Sequence, residues 1–546
     1  MNSLWRTALG QDQQKQILFT LSFAREDPVA SPHMALAANS WCMSTGVAHV
    51  VDLRSGRRKP FWPWLGAWPE ITTTLRPQDH AATTADVQVQ ILADSGLAAY
   101  LRDHGGAQGA TVRLDLWCPG IDLANVWPRF AGVVTACHID RRTSSVTLTL
   151  SDGDPDVVQT WPPGPIVSDN FRQAPNWVLN GTSRQTVLGP GPVGVSCIQI
   201  DATGNLFYVA DPPYSQWPSG PNAVQVGGAP YKSGFSFSTE MTPGTSTWPG
   251  FKYTQLALKT AAPQTGLQTA MVTVSGGVGY DPAIRDAISF LLWKGGFDLS
   301  PRAQALLADY ARATYGAPLS VLANLSGSVL DIVRQQLVPQ TPFAFRLHRT
   351  QADLIDLRAT GPQRRVTLGA QLVVRLSDQQ DETQNLSIFN ATSILCGLDE
   401  FASSISGAQY PLFRIPRNSS DANTPLNIRA LCKKSEGVYG NRFLDTPAGA
   451  GGYSAPDLAV LFDANGVAYD SPAGRILGDL VIQLCAMAHH PHSYQATWLD
   501  GYGFDLGDRV LLNDANESLV DEPCVVVQIT ESVTGPQITF QTEDLT

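Results

Sequence analysis

Apolar and polar residues alternate strictly through ADVQVQILAD and TVRLDLW, and again through the paired runs GVVTACHI and VTLTL. A period of two is what a half-buried strand writes into a sequence, so these runs predict strands. The last residues, CVVVQITESVTGPQITFQTEDLT, repeat the cadence as a hairpin. Laid over GVVTACHIDRRTSSVTLTLSD without a gap, Val133 and Val134 meet Val525 and Val526, Leu148 meets Phe540, and Asp152 meets Asp544, always 392 residues apart. The expectation is a duplication. Residues near 85–152 and 495–544 should be related barrels, with Val133 matching Val525 and Leu148 matching Phe540 as inward positions.

Inside the first twin, between ADVQVQILAD and TVRLDLW, GLAAYLRDHGG predicts a short helix closed by glycines. Between the twins the pattern changes. Short strands separated by Pro and Gly follow, with DATGN as a hairpin turn between SCIQI and LFYVA. Helices are expected after Asp281-Pro282, after Ser300-Pro301, and over VLDIVRQQL, where Ser328 and Asp331 fit a capping box. PFAFRLHR, DLIDLRA and AQLVVRLSD restore strands. RILGDLVIQLCAMA predicts one amphipathic helix, after which QATWL and DRVLL read as strands. The expected domains are 1–160, a first β-barrel; 161–279, a β-rich insertion; 280–384, an α/β domain; and 385–546, a second β-barrel. The fold class is mainly β with a small α/β portion.

Composition narrows the partners. Over 546 residues only 16% are charged, while Gly (47) and Pro (38) abound, a mix that favours strands and turns. The net charge of −11 is unevenly placed: 441–546 holds 15 acidic residues against 3 Arg and no Lys. Stable nucleic-acid binding there is disfavoured, because phosphate attraction needs Lys and Arg. No run approaches the roughly 18 apolar residues of a membrane span, and the start reads as lacking a secretory signal. The 8 cysteines are scattered singly, as expected for buried thiols in a reducing cytoplasm.

Candidate chemistry is thin. His489, His490 and His492 form the one local cluster of metal-ligand types, but no second ligand pair lies nearby, so no metal or other cofactor is expected. GGVGYDP lacks the spacing of a phosphate loop. No GxSxG, HExxH or recognisable Cys-His setting occurs, so no catalytic residues are assigned and the chain reads as a non-enzyme. In RRKPFWPWLGAW, the residues Trp62, Trp64 and Trp68 fit either a protein interface or an inward strand face.

The strand runs of the first module, the helical segment from DPAIRDAISFLLWKGGFDLS to DLIDLRA, and RILGDLVIQLCAMA leading to the terminal hairpin together resemble bacteriophage tail hub or baseplate hub proteins. That family shares its fold with the hub part of type VI secretion spikes. The resemblance implies two hub barrels per chain, alternating in a homotrimer around a three-fold axis. It implies a structural virion protein at the tail tip or baseplate, assembled in the host cytoplasm. Its neighbours would be a distal tail or tube protein, a spike or fibre protein and a tape-measure protein, with DNA present only in transit and no stable membrane association. It also departs from the family's larger members, since no lysozyme-like domain or needle repeat is seen. Some of Asp505, Asp508, Asp514, Asp521 and Glu522 are then candidates to line a DNA conduit; the alternative for them is solvated loop charges that keep the protein soluble. The alternatives are a tail-associated receptor or carbohydrate binder using the Trp-rich run, and a polysaccharide-acting enzyme.

Overall fold

The computed structural model describes residues 3–10, 14–23, 40–53, 56–152, 343–348, 351–358, 363–377, 489–501 and 503–543 around the two β modules. Elsewhere it describes 284–314, 328–342 and shorter stretches of 165–275, 321–324 and 388–487. The chain is mainly β and divides into two compact units, Met1–Val157 with Ala344–Leu386 and Ala488–Leu545, and Val158–Phe343 with Ser387–Met487.

In the first unit, the strands run in chain order as β1 (Gln16–Ser22), β2 (Ser40–Ser44), β3 (Ala48–Asp52), β4 (Arg57–Phe61), β5 (Ile71–Arg76), β6 (Ala81–Thr84), β7 (Val87–Ile91), β8 (Thr111–Trp117), β9 (Trp127–Ile139) and β10 (Val146–Asp152). They continue as β11 (Phe343–His348), β12 (Gln351–Asp356), β13 (Arg364–Thr367), β14 (Leu372–Ser377), β15 (Pro491–Ala496), β16 (Arg509–Asp514), β17 (Leu519–Ser532) and β18 (Gly535–Thr542). One sheet has the order β2-β1-β8-β9-β10-β7; the other contains β16-β17-β18-β15-β14. Within both, the order β8-β9-β10-β7 is repeated as β16-β17-β18-β15.

The repetition extends to register. Val133 faces Thr111 and Ser151; Val525 faces Arg509 and Gln541. Leu114 opposes Phe130, and Leu512 opposes Glu522. Both long strands carry a bulge at the same place. Thr135 is skipped between the Val134–Leu150 and Ala136–Thr149 pairs, and Val527 between Val526–Phe540 and Gln528–Thr539. A bulge puts two residues against one and bends the strand, so two matched bulges tie the modules more closely than strand order alone.

The register corrects two expectations. Val133 does match Val525, but the inward residues are their neighbours Val134 and Val526, which pair with Leu150 and Phe540, because successive strand residues point to opposite faces. Second, Phe540 corresponds to Leu150, and Leu148 corresponds to Ile538. The cause is turn length. The first turn is Arg141–Ser144, inside an Asp140 N–H bond to the Ser145 carbonyl of 3.0 Å; the second is only Val533–Thr534, between Ser532 and Gly535. A shift of two residues keeps every side chain on its face, which is why a gap-free alignment still matches apolar to apolar.

Each sheet is joined into a ring of pairings. In the first, the segment Trp62–Gly66 spans from β2 to β7: Ser44 N–H reaches the Trp62 carbonyl at 2.7 Å, and Gly66 N–H reaches that of Gln90 at 2.9 Å. In the second, β13 pairs with β16 in parallel and its continuation β14 pairs with β15. Leu65 lies opposite Ile91, as Leu372 lies opposite Ala496. Inside the first ring are Phe19, Trp41, Ile91, Leu114, Leu148 and Leu150; inside the second are Tyr494, Val510, Leu512, Val526, Ile538 and Phe540, all buried. Each such side chain contributes about 1.5–3 kcal/mol on burial.

The second strand expectation near the C-terminal module also changes. QATWL does not continue as a strand: β15 ends at Ala496 and Trp498–Gly501 is a helical turn. Thr497 supplies the cap, its hydroxyl accepting the Asp500 N–H at 3.1 Å.

The second unit carries small sheets, one from Ile198–Gln199, Leu206–Ala210, Lys252–Leu258 and Phe235–Met241, over a core of Phe207, Val209, Leu256 and Val274. Its DATGN turn is held by Asp201, whose carboxylate accepts the N–H groups of Gly204 and Leu206 at 3.1 and 3.0 Å. Ser300 caps Pro301–Ala313 by accepting from Ala303 N–H, and the Ser328–Asp331 capping box opens Val329–Ile332. Beyond it the VLDIVRQQL helix continues as a π turn, Val333–Leu337. Pro472–Cys485 begins at the Ser471 cap and sets Ile482 and Ala486 against Ala430 and Cys432. Asp281-Pro282, GGVGYDP, the first seven residues of TPAGAGGYSA and Asp544 lie outside the described residues.

Candidate functional site

Paired charges and large aromatic rings of the first unit gather where its two modules meet. Beyond its bulge, β17 leaves β16 and takes β5 as neighbour, Ile529 opposite Thr73 and Thr530 opposite Thr72. The Thr72 and Thr530 hydroxyls are 3.0 Å apart. Arg129 crosses the junction: its Nε donates to Glu531 Oε2 at 2.7 Å while the guanidinium lies 4.0 Å from the centre of the Trp127 ring. Trp127 meets Trp498 edge-on at 6.0 Å, and Trp68 meets Trp498 at 5.9 Å. Trp498 therefore belongs to the first module's core although it follows β15 in sequence. Large rings with a polar end suit such a joint, since they bury area while keeping one hydrogen bond.

Beside this joint is a cavity of about 320 Å³ whose lining includes Thr73, Arg129, Asp152, Arg346, Asp505 and Glu531. Arg346 is held at both ends, Nη1 to Asp505 Oδ1 and Nη2 to Asp353 Oδ2, each at 2.8 Å. Thr84 donates to Asp152 at 2.8 Å. Paired charges at low exposure rigidify a joint, and breaking one pair leaves a buried charge uncompensated.

The candidates from the sequence fall in different places. Trp64 is buried, packed against Trp41; Trp62 is 43% exposed and stacked on Trp64 at 5.5 Å and 17°; Trp68 is half-buried against Trp498. All three lie on or just after the segment that joins β2 to β7. Of the acidic candidates, Asp505 holds Arg346, and Asp508 accepts the Asp505 N–H at 2.8 Å. Asp514 is fully buried and accepts the Tyr494 hydroxyl at 2.9 Å. Asp521 sits at the second irregularity of β17 with φ 52°. Asn513 and then Arg365, bonded to it at 2.7 and 2.6 Å, hold its carboxyl below the usual carboxylate range. Glu522 is half-buried.

His489 and His490 serve the sheet edge: His489 Nδ1 is 2.7 Å from the Thr542 carbonyl, and His490 N–H donates to the Thr542 hydroxyl. His492 lies in β15, where burial and then Arg375 push its imidazole below the ordinary value. Among the described residues no three His, Cys, Asp or Glu side chains gather as a metal site would require. Sequence reasoning missed Arg129, Glu531, Arg346 and Trp498, because none lies in a motif and their partners are remote in sequence.

No protein-family model matches the chain, and no curated protein matches it. Among solved structures it is similar to the 43 kDa tail protein of prophage MuSo2 from Shewanella oneidensis, with 10% identity, 89% of this chain and 95% of that chain covered, and a TM-score of 0.37. It is similar to prophage tail protein gp18 from Listeria monocytogenes EGD-e, with 9% identity, coverage of 91% and 94%, and a TM-score of 0.37. It is also similar to the tail protein from Neisseria meningitidis MC58, with 8% identity, coverage of 91% and 96%, and a TM-score of 0.36. Tail proteins are thus what the chain is similar to.

Proposed function

We propose that this chain is a structural, non-catalytic protein of a phage tail, a hub in which three copies alternate their two β modules around a three-fold axis. Such a hub joins the tail tube to the tail tip and lines the conduit through which DNA passes. Its neighbours would be a tube or distal tail protein, a spike or fibre protein and a tape-measure protein. The observation that supports this best is the repeated module, β8-β9-β10-β7 and β16-β17-β18-β15, with its bulges at Thr135 and Val527. Two similar modules per chain let three chains present six similar positions, which is how a trimer meets a six-fold tube. In that ring Asp508 and Glu522 are the acidic candidates for a lumen that repels phosphate, over the roughly 8–10 Å of a Debye length. Asp514 is spoken for by Tyr494. The test is the mass of the native assembly by light scattering or native mass spectrometry. Three copies are expected; a folded protein that stays a single chain at every concentration overturns the reading.

A second reading has one observation of its own. Trp62, exposed and stacked flat on Trp64, offers a ring face of the kind on which sugars or receptor side chains pack. Binding of glycans that is lost in Trp62→Ala would favour it.

A further inference from the structure

One wall of each ring is built from uncharged side chains. In the first module Gln88 and Gln90 of β7 and Thr147 and Thr149 of β10 lie on the outer side, while Val87, Val89, Leu148 and Leu150 are buried. Gln90 stands opposite Thr147, and Gln88 opposite Thr149. The equivalent wall of the second module sets Gln495 opposite Gln537 and Ser493 opposite Thr539. Across β7, β10, β15 and β18 the only Asp, Glu, Lys or Arg is Asp152, at the end of β10 and bonded to Thr84. Neighbouring strands carry the charges instead, Arg113 and Asp115 in β8 and Arg509 and Asp514 in β16.

The two walls use these groups differently. In the second module the Ser493 and Thr539 hydroxyls bond each other at 2.9 Å, and the Gln495 amide donates to the Ala496 and Pro536 carbonyls. In the first, the side chains of Gln88, Gln90, Thr147 and Thr149 make no hydrogen bond among the described residues. Each amide or hydroxyl can both donate and accept, as a sugar hydroxyl does. Strand geometry sets the four at the corners of a rectangle of about 5 by 7 Å.

An aromatic platform adjoins the first wall. Just past β7, the Leu92 N–H donates to the Trp64 carbonyl at 2.8 Å, and the Gly66 N–H donates to that of Gln90 at 2.9 Å. A Cβ on Gly66 would meet the Gln90 side chain at 3.1 Å, so the glycine leaves that amide room beside the segment. Trp62 stacks on Trp64, and Trp64 packs against the fully buried Trp41. The exposed ring therefore rests on a stack that reaches the core. A platform fixed in advance loses little freedom when a ligand arrives.

Charge selects the ligand. Anionic sugars, nucleic acid and acidic proteins are held by Arg and Lys, and the wall has neither. Of the basic residues before Trp62, Lys59 lies over the Phe61 ring at 5.5 Å, and Arg57 and Arg58 stand further back on β4. What remains is an aromatic face beside a set of neutral donors and acceptors, which suits an uncharged ligand rich in hydroxyls.

We infer that the first module binds a neutral glycan, one sugar ring packing on Trp62 and a neighbouring sugar hydrogen-bonded by Gln88, Gln90, Thr147 and Thr149. This rests on the second reading above and adds to it the ligand's class and the residues that hold it.

The test applies the full chain to an array of neutral and acidic glycans and measures the bound ones by titration calorimetry. A neutral glycan should bind. Trp62→Ala should weaken it at least about tenfold, and Gln90→Ala and Thr147→Ala about two- to tenfold each, the effect of one hydrogen bond. Unchanged thermal unfolding checks that each variant is folded, and the two wall variants stand in for each other should one fail. If binding needs Trp62 but ignores Gln90 and Thr147, the wall is wrong while the Trp62 reading stands. Binding confined to uronate or sialate glycans would point to Arg57 and Arg58 and overturn the inference in the same way. If no glycan binds, both fall.

Discussion

Thr135 and Val527 occupy the same place in two different strands: each is the extra residue of a bulge, one between Val134 and Ala136, the other between Val526 and Gln528. On the turn side of each bulge the long strand has finished with its first neighbour, β8 or β16. The bulge is the corner at which it is released to a different partner, and in the second module that partner is β5.

If the modules are equivalents that differ in turn length, the turn can be exchanged. Replacing Val533–Thr534 with the four residues Arg141–Ser144 should keep the fold and shift stability by only about 0.6 kcal/mol, the cost of doubling a loop. Urea midpoints of the two proteins measure it. A loss of cooperative unfolding would mean that the second turn has a role beyond connection.

Gly535 starts β18 with φ 139°, and a Cβ there would meet the Ala496 carbonyl oxygen at 2.3 Å. Gly535→Ala should therefore destabilise by about 1–3 kcal/mol. Thermal unfolding would read the loss, and an unchanged midpoint would contradict the close approach of β15 and β18 at this end.

Glu531 is 6% exposed at its side chain and Arg129 18%. Glu531→Ala should cost about 3–5 kcal/mol by leaving the guanidinium uncompensated beside Trp127, and changing both to apolar residues should recover much of it. A double-mutant cycle on urea unfolding separates the two cases.

His492 has a depressed pKa in the folded chain, through burial and then Arg375. The unfolded chain, near the ordinary value of about 6.5, then binds its proton first as pH falls. This contribution to stability is intact above that value and declines below it. Unfolding midpoints at pH 7.5 and 5.5 should differ less in His492→Gln than in the parent. An equal difference in both proteins would assign the slope to other groups.

Much of the β architecture was legible because its strands are buried on one face, so VQVQI, TVRLDLW and VTLTL carry the alternation openly. The twin hairpin was legible for the same reason, apart from the two-residue difference that a period of two conceals. The helix caps at Ser300, Ser328 and Ser471 were local and could be read or checked locally. Trp498 could not: its strand-like context points to β15, while its ring packs with Trp68 and Trp127, hundreds of residues away. The carboxylates near the C-terminus look alike in sequence, yet Asp514 is enclosed by Tyr494 and Asp521 clasped by Arg365. Charge counts cannot distinguish them, since burial depends on which strand lies opposite.

β14 and β15 are neighbours in one sheet, Ser377 facing Ser493, although more than a hundred residues separate them in the chain. Most of that length belongs to the second unit. In evolutionary terms it occupies the loop of a hairpin, whose two ends are held together by the sheet whatever is strung between them. Such a loop can gain, lose or exchange its cargo while the ring keeps its pairings, so related chains should differ in length at this address.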